Sequence, residues 1–389
     1  MGRPENPEIS IVVIGWRRAP DLRRCLAALA ETVDRHAVEI IVTLNEPAPA
    51  LLAELANKPD LLDECLVAES NRGYALANNA GAQAARGTYL VLLNDDSVPQ
   101  SGWLEPLIER LSSDQSIGAV GPVFVAPSGA VLEAGCWLSS DAVPTSIGPS
   151  QLPRSGPVAG PVPYVSASAL AFRREQFLEF GGFDPGYFPA YFEDTDIAMK
   201  YLDRGLSTWV EPASRVEHSP NDREHRRYAS YLVSLNRHRF VERWGQVLAT
   251  FPPLGDPSVW ATQVKSAVAA VTALAASPRR TGPAVPDVEN LSEAQLRDRE
   301  LQISDDFIDF VSSLLDQFEE RDAKFQVLVA ERDQVISSVI PEFERWLEAA
   351  NQKLESANEE LEAYRSRRLV RLLNALRRAQ TRGARSEKS

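Results

Sequence analysis

The feature that most constrains the fold is an alternation. Nearly uncharged runs rich in β-branched and apolar residues recur at Ile9-Ser-Ile-Val-Val-Ile14, Glu39-Ile-Ile-Val-Thr-Leu44, Cys65-Leu-Val-Ala68, Tyr89-Leu-Val-Leu-Leu93 and Gly118-Ala-Val-Gly121. A run that stays apolar on both alternating positions suits a strand buried on both faces, which is the situation of a parallel sheet. Between the runs, apolar residues fall at helical spacing. The pattern predicts helices from an Asp21 N-cap through Leu22, Leu26 and Leu29, over Leu51–Leu55, over the small residues Ala75–Ala85, and over Trp103–Leu111. Repeated strand-helix-strand predicts an α/β domain, Rossmann-like, with a mostly parallel central sheet flanked by helices. Ligands in such sheets bind at the carboxyl ends of the strands, and Asn94-Asp95-Asp96 falls at one of them.

The next hundred residues continue the domain less regularly. Residues 141–163 are rich in Pro, Gly and Ser and read as a surface loop. A strand is expected over Tyr164–Phe172, helices over Arg174–Phe180, Glu193–Arg204 and about 226–244, and a strand near Thr208–Val210 leading to His218. This first domain is taken as residues 1–250. Residues 251–286 read as a Pro-rich helical linker whose most apolar stretch, Val259–Ala276, carries Lys265 and Gln263 and suits a helix in water better than a membrane span.

Charge divides the remainder. The chain has a net charge of −13, which argues against a nucleic-acid binder. Residues 287–362 carry 21 acids and 7 bases, and residues 363–389 carry 9 bases and 1 acid. The acidic segment places Phe307, Val311, Leu314 and Phe318, and later Leu354 and Leu361, at heptad-like spacing, which predicts a coiled coil or helical hairpin split at Pro341. It is expected to self-associate or to recruit a partner. The basic end sets Leu369, Leu372, Leu373 and Leu376 on one helical face flanked by arginines, a form suited to an anionic membrane surface or to pairing with the acidic segment. The start of the chain lacks the apolar stretch of a signal peptide, and three cysteines without CxxC spacing point to a reducing, cytoplasmic setting.

Four constellations carry candidate chemistry. Adjacent Asp95 and Asp96 after a buried strand repel each other, and Mg²⁺ typically bridges such carboxylates to phosphate oxygens; the plainer reading is an acidic turn. Glu193-Asp194-Thr195-Asp196 opens a helix, where acids are favoured by the helix dipole, yet it follows the aromatic run Tyr187-Phe188 and Tyr191-Phe192, and a partly desolvated carboxylate there suits a general base. His218 is either a structural histidine or a ligand to metal or phosphate. The stretch Asn71-Arg-Gly-Tyr74 through Gly87 either packs a helix closely on the sheet or aims a helix N-terminus near Gly73 at an anion.

Taken in order, Asn71-Arg-Gly-Tyr-Ala, Leu92-Leu-Asn-Asp-Asp96, Gly181-Gly-Phe-Asp184, Phe192-Glu-Asp-Thr-Asp196 and His218 resemble an inverting family 2 glycosyltransferase of the GT-A fold, in its rhamnosyltransferase-like branch. The resemblance spans about residues 9–245 and none of the C-terminal α-helical, coiled-coil region. It implies a hexosyl- or rhamnosyl-type transfer from a nucleotide-diphospho-sugar to a glycan or lipid-linked glycan, in cell-envelope polysaccharide biosynthesis at the inner face of the membrane. It implies that Asp96 and His218 hold Mg²⁺ or Mn²⁺, that Asn94 and Asp95 lie beside the ribose and diphosphate, and that Asp194 is the general base supported by Glu193. Trp16, Asn45, Asn71 and Gly73 are the further donor-binding candidates. One departure stands out: Val42-Thr-Leu-Asn45 has Leu44 where the family commonly has an acid that meets the base, which leaves the nucleotide open and favours, as the alternative function, a non-catalytic sugar-nucleotide-binding scaffold acting through its coiled coil.

Overall fold

The computed structural model describes residues 4–16, 19–58, 60–218, 223–251, 292, 294–303, 306, 348, 349, 351–356 and 359. The chain divides into two compact units, Met1–Phe307 and Ile308–Ser389. The described residues of the second unit are helical. Its heptad run before residue 348, Pro341 and the basic end 363–389 lie outside the described residues, as does the linker stretch Val259–Ala276. Among the described residues no helix is long and apolar enough to cross a membrane.

The first unit opens with β1 (Ile9–Trp16), α1 (Ala19–Thr32), β2 (Val38–Asn45), α2 (Pro49–Ala56), β3 (Glu64–Ala68), α3 (Gly73–Ala84) and β4 (Tyr89–Asn94). It continues through β5 (Ser97–Pro99), α4 (Leu104–Ser113), β6 (Ile117–Val125), β7 (Val131–Glu133), β8 (Cys136–Leu138), β9 (Pro144–Ser146) and β10 (Gly160–Val162). The last elements are β11 (Ala169–Arg173), α5 (Arg174–Glu179), a short 3₁₀ turn at Pro185–Tyr187, α6 (Glu193–Asp203), β12 (Ser207–His218) and α7 (Arg223–Leu248). The main sheet runs in the order β10-β12-β6-β11-β4-β1-β2-β3, with β5 paired to β12 and β7 to β6.

The parallel run expected from the sequence is present as β3-β2-β1-β4. Its two central strands, β1 and β2, are buried along almost their whole length, which is why they read as unbroken apolar runs. The sheet as a whole is mixed, because β11 inserts antiparallel between β4 and β6. The cause lies in the connection: residues 126–168 contain no crossover helix to carry the chain back across the sheet, so it re-enters from the end at which β6 left. Three local expectations shift. α1 begins at Ala19, so Asp21 sits in its first turn, where it still faces the positive end of the helix dipole. The Pro- and Gly-rich segment 141–163 carries the short strands β9 and β10. The strand expected over 164–172 is confined to Ala169–Arg173, leaving 164–168 as irregular chain at the ligand end of the sheet.

The small residues of α3 are explained in large part by packing. A Cβ on Gly81 would stand 2.3 Å from Val12 Cγ1 and 3.2 Å from Thr43 Cγ2, so this glycine sets how closely α3 lies on β1 and β2. Replacing glycine by alanine inside a helix ordinarily gains about 1 kcal/mol. Overpacking a core costs about 1–3 kcal/mol, and here the obstacle is a β-branched residue in a central strand with little freedom to turn. Gly81→Ala is therefore expected to lower unfolding stability by about 1 kcal/mol or more in urea denaturation, with the α3 N-terminus displaced as a consequence. A stabilised variant would show that α3 is free to slide on the sheet.

Candidate active site

The strand ends are locked to one another before any ligand arrives. β4 ends at Asn94, paired with Ile14 of β1, and the following Asp95 N–H donates to Ile14 O at 3.1 Å. Asp95 Oδ2 in turn accepts from Trp16 N at 3.2 Å, closing the β1 end over the β4 end. On the other flank, Asn94 N–H donates to Ser168 O at 3.0 Å and Asn94 Nδ2 to Ser168 Oγ at 3.3 Å. β5 pairs with the end of β12 so that Ser97 faces His218, and this register brings the imidazole to Asp96: His218 Nε2 lies 3.4 Å from Asp96 Oδ1. Phe124 packs its ring against the imidazole, with centroids 5.7 Å apart.

The turn before α3 is held by its own asparagines. Asn71 Oδ1 accepts from Gly73 N at 2.8 Å, while Asn45 Nδ2 donates to Gly73 O and Asn45 Oδ1 accepts from Arg72 N, both at 3.2 Å. Both ends of the Asn45 amide are thus committed to the turn. Gly73 has φ +71°, and a Cβ there would lie 2.8 Å from Pro189 O, so only glycine permits this approach. Tyr74 N–H donates to the same Pro189 O at 2.8 Å, tying the α3 start to the loop before α6.

These residues enclose a cavity of ≈ 250 Å³. Trp16, Asn45, Asn71, Gly73, Asn94, Asp95 and Asp96, all singled out in the sequence, line it. A smaller apolar slot of ≈ 50 Å³ adjoins it between the ends of β1 and β2, sharing Trp16, Asn45 and Asp95 and adding Leu44 and Leu51. His218 joins this group through Asp96 rather than through the cavity wall. Asp194 and Glu193 stand outside the wall, but Tyr74 and Tyr191, which line it, feel both groups of acids. Burial pushes the Tyr74 phenol well up, and the charges of Glu193, Asp194 and Asp96 push it the same way; burial and the same three acids also raise Tyr191. Carboxylates nearly a hundred residues apart in sequence therefore converge on one cleft.

Asp194 and Glu193 open α6 in a strained setting. Tyr191 and Phe192 both adopt left-handed backbone, φ +78° and +76°, a conformation that side chains of this size rarely take. Asn236 of α7 holds them there: its Nδ2 lies 3.0, 2.8 and 3.0 Å from the carbonyl oxygens of Tyr187, Ala190 and Tyr191. Asp194 Oδ1 accepts from Thr195 N at 2.6 Å and from Thr195 Oγ1 at 3.1 Å, while Oδ2 faces Ala167 N at 3.4 Å. Burial raises the Asp194 carboxyl above its ordinary range, and these hydrogen bonds oppose the rise. Glu193 is pushed up further, by burial first and then by the Asp194 charge.

The other two acids of these motifs do structural work. Asp184 pairs with Arg239 and Arg243 at 3.0 Å each, and Asp196 pairs with Arg243 at 3.1 Å and accepts from Trp244 Nε1 at 2.7 Å, so both fasten α7 to the domain. Among the described residues no group of three or more His, Cys, Asp or Glu side chains is arranged to hold a metal ion. Asp96 and His218 offer two donors side by side, one oxygen and one nitrogen. That set fits a divalent cation whose remaining positions are taken by phosphate oxygens and water. Three residues with polar side chains in the cavity lining were not singled out by sequence: Tyr74, Tyr191 and Glu300. Tyr74 and Tyr191 were visible only as neighbours of motifs, and Glu300 had no signal at all.

Residues 10–177 match the family model for glycosyl transferase family 2. The matched stretch runs from β1 into α5 and so holds the Asp95-Asp96 turn and the asparagine-held turn before α3. The O-antigen biosynthesis protein RfbC of Myxococcus xanthus is 28% identical over 225 residues, covering 55% of this chain and 17% of that protein. An N-acetylglucosaminyl-diphospho-decaprenol L-rhamnosyltransferase of Mycobacterium tuberculosis is 24% identical over 257 residues, covering 60% of this chain and 83% of that protein. Among solved structures, GalNAc-T7 with UDP, GalNAc and Mn²⁺ is 19% identical, with a TM-score of 0.47 over 67% of this chain and 54% of that one. The mixed sheet with helices on its faces is the GT-A arrangement that the motifs implied.

The raised carboxyl of Glu193 has a consequence for the stability of the first compact unit. A group whose pKa is higher folded than unfolded binds more protons in the native state, so stability falls as pH rises from its ordinary value of 4.5 through the raised value. Glu193→Gln removes that penalty. The variant is expected to unfold at higher denaturant concentration than the unsubstituted protein near neutral pH, with the difference shrinking as pH approaches 4.5. A difference independent of pH would show that Glu193 is not desolvated in the native protein.

Proposed function

We propose that the protein is an inverting glycosyltransferase that moves a sugar from a nucleotide-diphospho-sugar to a hydroxyl of a glycan or lipid-linked glycan. The observation that carries this reading is the convergence of two acid groups, far apart in sequence, on the tyrosines of one cleft. Asp96, beside His218, lines a cavity at the strand ends, and the lining residues Tyr74 and Tyr191 are pushed up by the charge of Asp96 and by that of Asp194, itself raised by burial.

The roles follow from chemistry. The slot between Trp16, Leu44 and Leu51 is apolar and thin, which suits a nucleobase held by stacking and shape. Leu44 offers no hydrogen bond and the Asn45 amide is already used, so base identity is read weakly by these side chains. Asn94 and Asp95 stand where the ribose and diphosphate would lie. Asp96 and His218 would hold Mg²⁺ or Mn²⁺, which supplies positive charge against the donor diphosphate. Asp194 accepts the proton of the acceptor hydroxyl as its oxygen attacks the anomeric carbon from the face opposite the departing diphosphate, so the configuration inverts. Its raised affinity for a proton makes it a better base than an ordinary aspartate. Glu193 beside it is pushed up further by burial and by the Asp194 charge, so of the two neighbours Asp194 gives up its proton more readily and is the one left to act as the base.

The reading is tested by presenting the full-length protein with UDP-, TDP- and GDP-sugars in Mn²⁺, Mg²⁺ or EDTA, and following calorimetric binding and nucleoside diphosphate release. One donor is expected to bind in a metal-dependent way. Asp96→Ala should abolish that dependence. Asp194→Asn should keep donor binding and lose roughly 10²–10⁴-fold in turnover, the ordinary weight of a general base. Donor binding without turnover by the unsubstituted protein across a broad acceptor panel would favour instead the scaffold reading that Leu44 suggests.

A further inference from the structure

We infer that Glu300, carried by residues 294–303 far downstream of the matched family region, is a donor-binding residue whose carboxylate accepts hydrogen bonds from vicinal hydroxyls of the nucleotide sugar. The inference rests on the transferase reading above and adds to it a residue and a segment that this reading does not use.

Residues 294–303 are helical and belong to the same compact unit as the sheet. They dock through one face. Leu296 and Ile303, seven residues apart, are buried with Leu76 of α3, Phe188 and Leu232 of α7. Polar contacts fix the rest of the segment. Arg297 Nη2 donates to Glu69 O at 3.2 Å, and Arg299 Nη2 to Gly186 O at 3.4 Å, with the Arg299 guanidinium 5.8 Å from the centre of the Phe188 ring. Glu300 lies one turn after Leu296 and so shares the docking face. It lines the ≈ 250 Å³ cavity together with Asp95 and Asp96. Its Oε1 accepts from Asn71 Nδ2 at 3.0 Å, the amide hydrogen that the Asn71-Gly73 turn leaves over.

Charge decides what such a carboxylate can do. Among the described residues no Lys or Arg lines the cavity, while Asp95, Asp96 and Glu300 do. A third carboxylate facing the diphosphate would repel it. The group must therefore face an uncharged part of the donor that donates hydrogen bonds. A carboxylate has about four acceptor positions, one of which Asn71 occupies, and sugar hydroxyls are the donors that a nucleotide sugar offers. Those hydroxyls belong either to the ribose or to the transferred sugar, and the two sources separate by experiment.

The full-length protein and its Glu300→Gln and Glu300→Ala variants are titrated calorimetrically with UDP-glucose, TDP-rhamnose and GDP-mannose and with UDP, TDP and GDP, each in MnCl₂. Hydrogen exchange of residues 294–303 is followed in parallel. Gln keeps a carbonyl oxygen for Asn71, so docking of the segment should be unchanged in Glu300→Gln. Affinity for the nucleotide sugar should fall about tenfold or more in both variants, the weight of a hydrogen bond to a charged group. A fall for the nucleoside diphosphate as well assigns the ribose, and a fall for the nucleotide sugar alone assigns the transferred sugar. Unchanged affinity in Glu300→Gln with the segment docked overturns the inference. So does a loss of affinity that appears only with loss of exchange protection, because Glu300 would then act by holding the segment. If the unsubstituted protein binds none of the probes, the transferase reading fails first and takes this inference with it.

Discussion

The site depends on the antiparallel entry of β11. Because that strand runs against β4, its beginning, not its end, stands at the ligand end of the sheet. The tripeptide Ser166-Ala167-Ser168 is thereby delivered to the ligand end of the sheet, where it reaches the turn after β4, Tyr74 and Asp194. Ser168 O accepts from Asn94 N at 3.0 Å and from Ser97 Oγ at 3.0 Å, fixing both sides of the Asp95-Asp96 turn. Ala167 O accepts from Tyr74 Oη at 2.6 Å, and Ala167 N faces Asp194 Oδ2 at 3.4 Å. A parallel strand in the same place would put these backbone groups at the far end of the sheet. The relation between the acid at the strand ends and the acid at the start of α6 is thus set by backbone hydrogen bonds, which are insensitive to side-chain identity at 166–168.

This explains what was legible in the sequence. β1, β2 and β4 could be read because a strand buried on both faces must be apolar at every position, and the turn after β4 could be read because Asp-Asp at such a place is a costly arrangement without a counter-charge. β11 was legible as a strand but not in direction, since an apolar run carries no arrow; only the missing crossover helix in 126–168 determines it. The hub at 166–168 left no trace, because it works through its main chain and one seryl hydroxyl. Asp184 and Asp196 looked like site acids from their motifs, yet their partners Arg239 and Arg243 lie some fifty residues on, at positions that nothing local marks. Glu300 was read within an acidic, heptad-like segment, where one glutamate among many has no distinguishing context. Residues 294–303, at the beginning of that acidic segment, pack against α3 and α7 within the first compact unit.

The arrangement of charge gives these observations a common cause. Among the described residues, several basic groups near the cleft are spent on structure. Arg239 and Arg243 neutralise Asp184 and Asp196, Lys200 lies 3.6 Å from Asp196 and donates to Gly182 O at 2.7 Å, and Arg299 is turned toward Phe188 and a carbonyl. These pairs are partly buried, where removing one member is costly and a basic residue cannot readily be diverted to a ligand. Among the described residues, the charged groups that line the cavity are acidic. A pocket of that sign favours a diphosphate that arrives with positive charge, the role proposed for a cation at Asp96 and His218. The same sign makes Glu300 tolerable only opposite hydroxyl groups. One electrostatic condition, a cavity whose described charged lining is acidic while Arg239 and Arg243 are neutralised outside it, therefore underlies both the metal dependence proposed for Asp96 and His218 and the proposed division of the donor between its charged diphosphate and its neutral sugar.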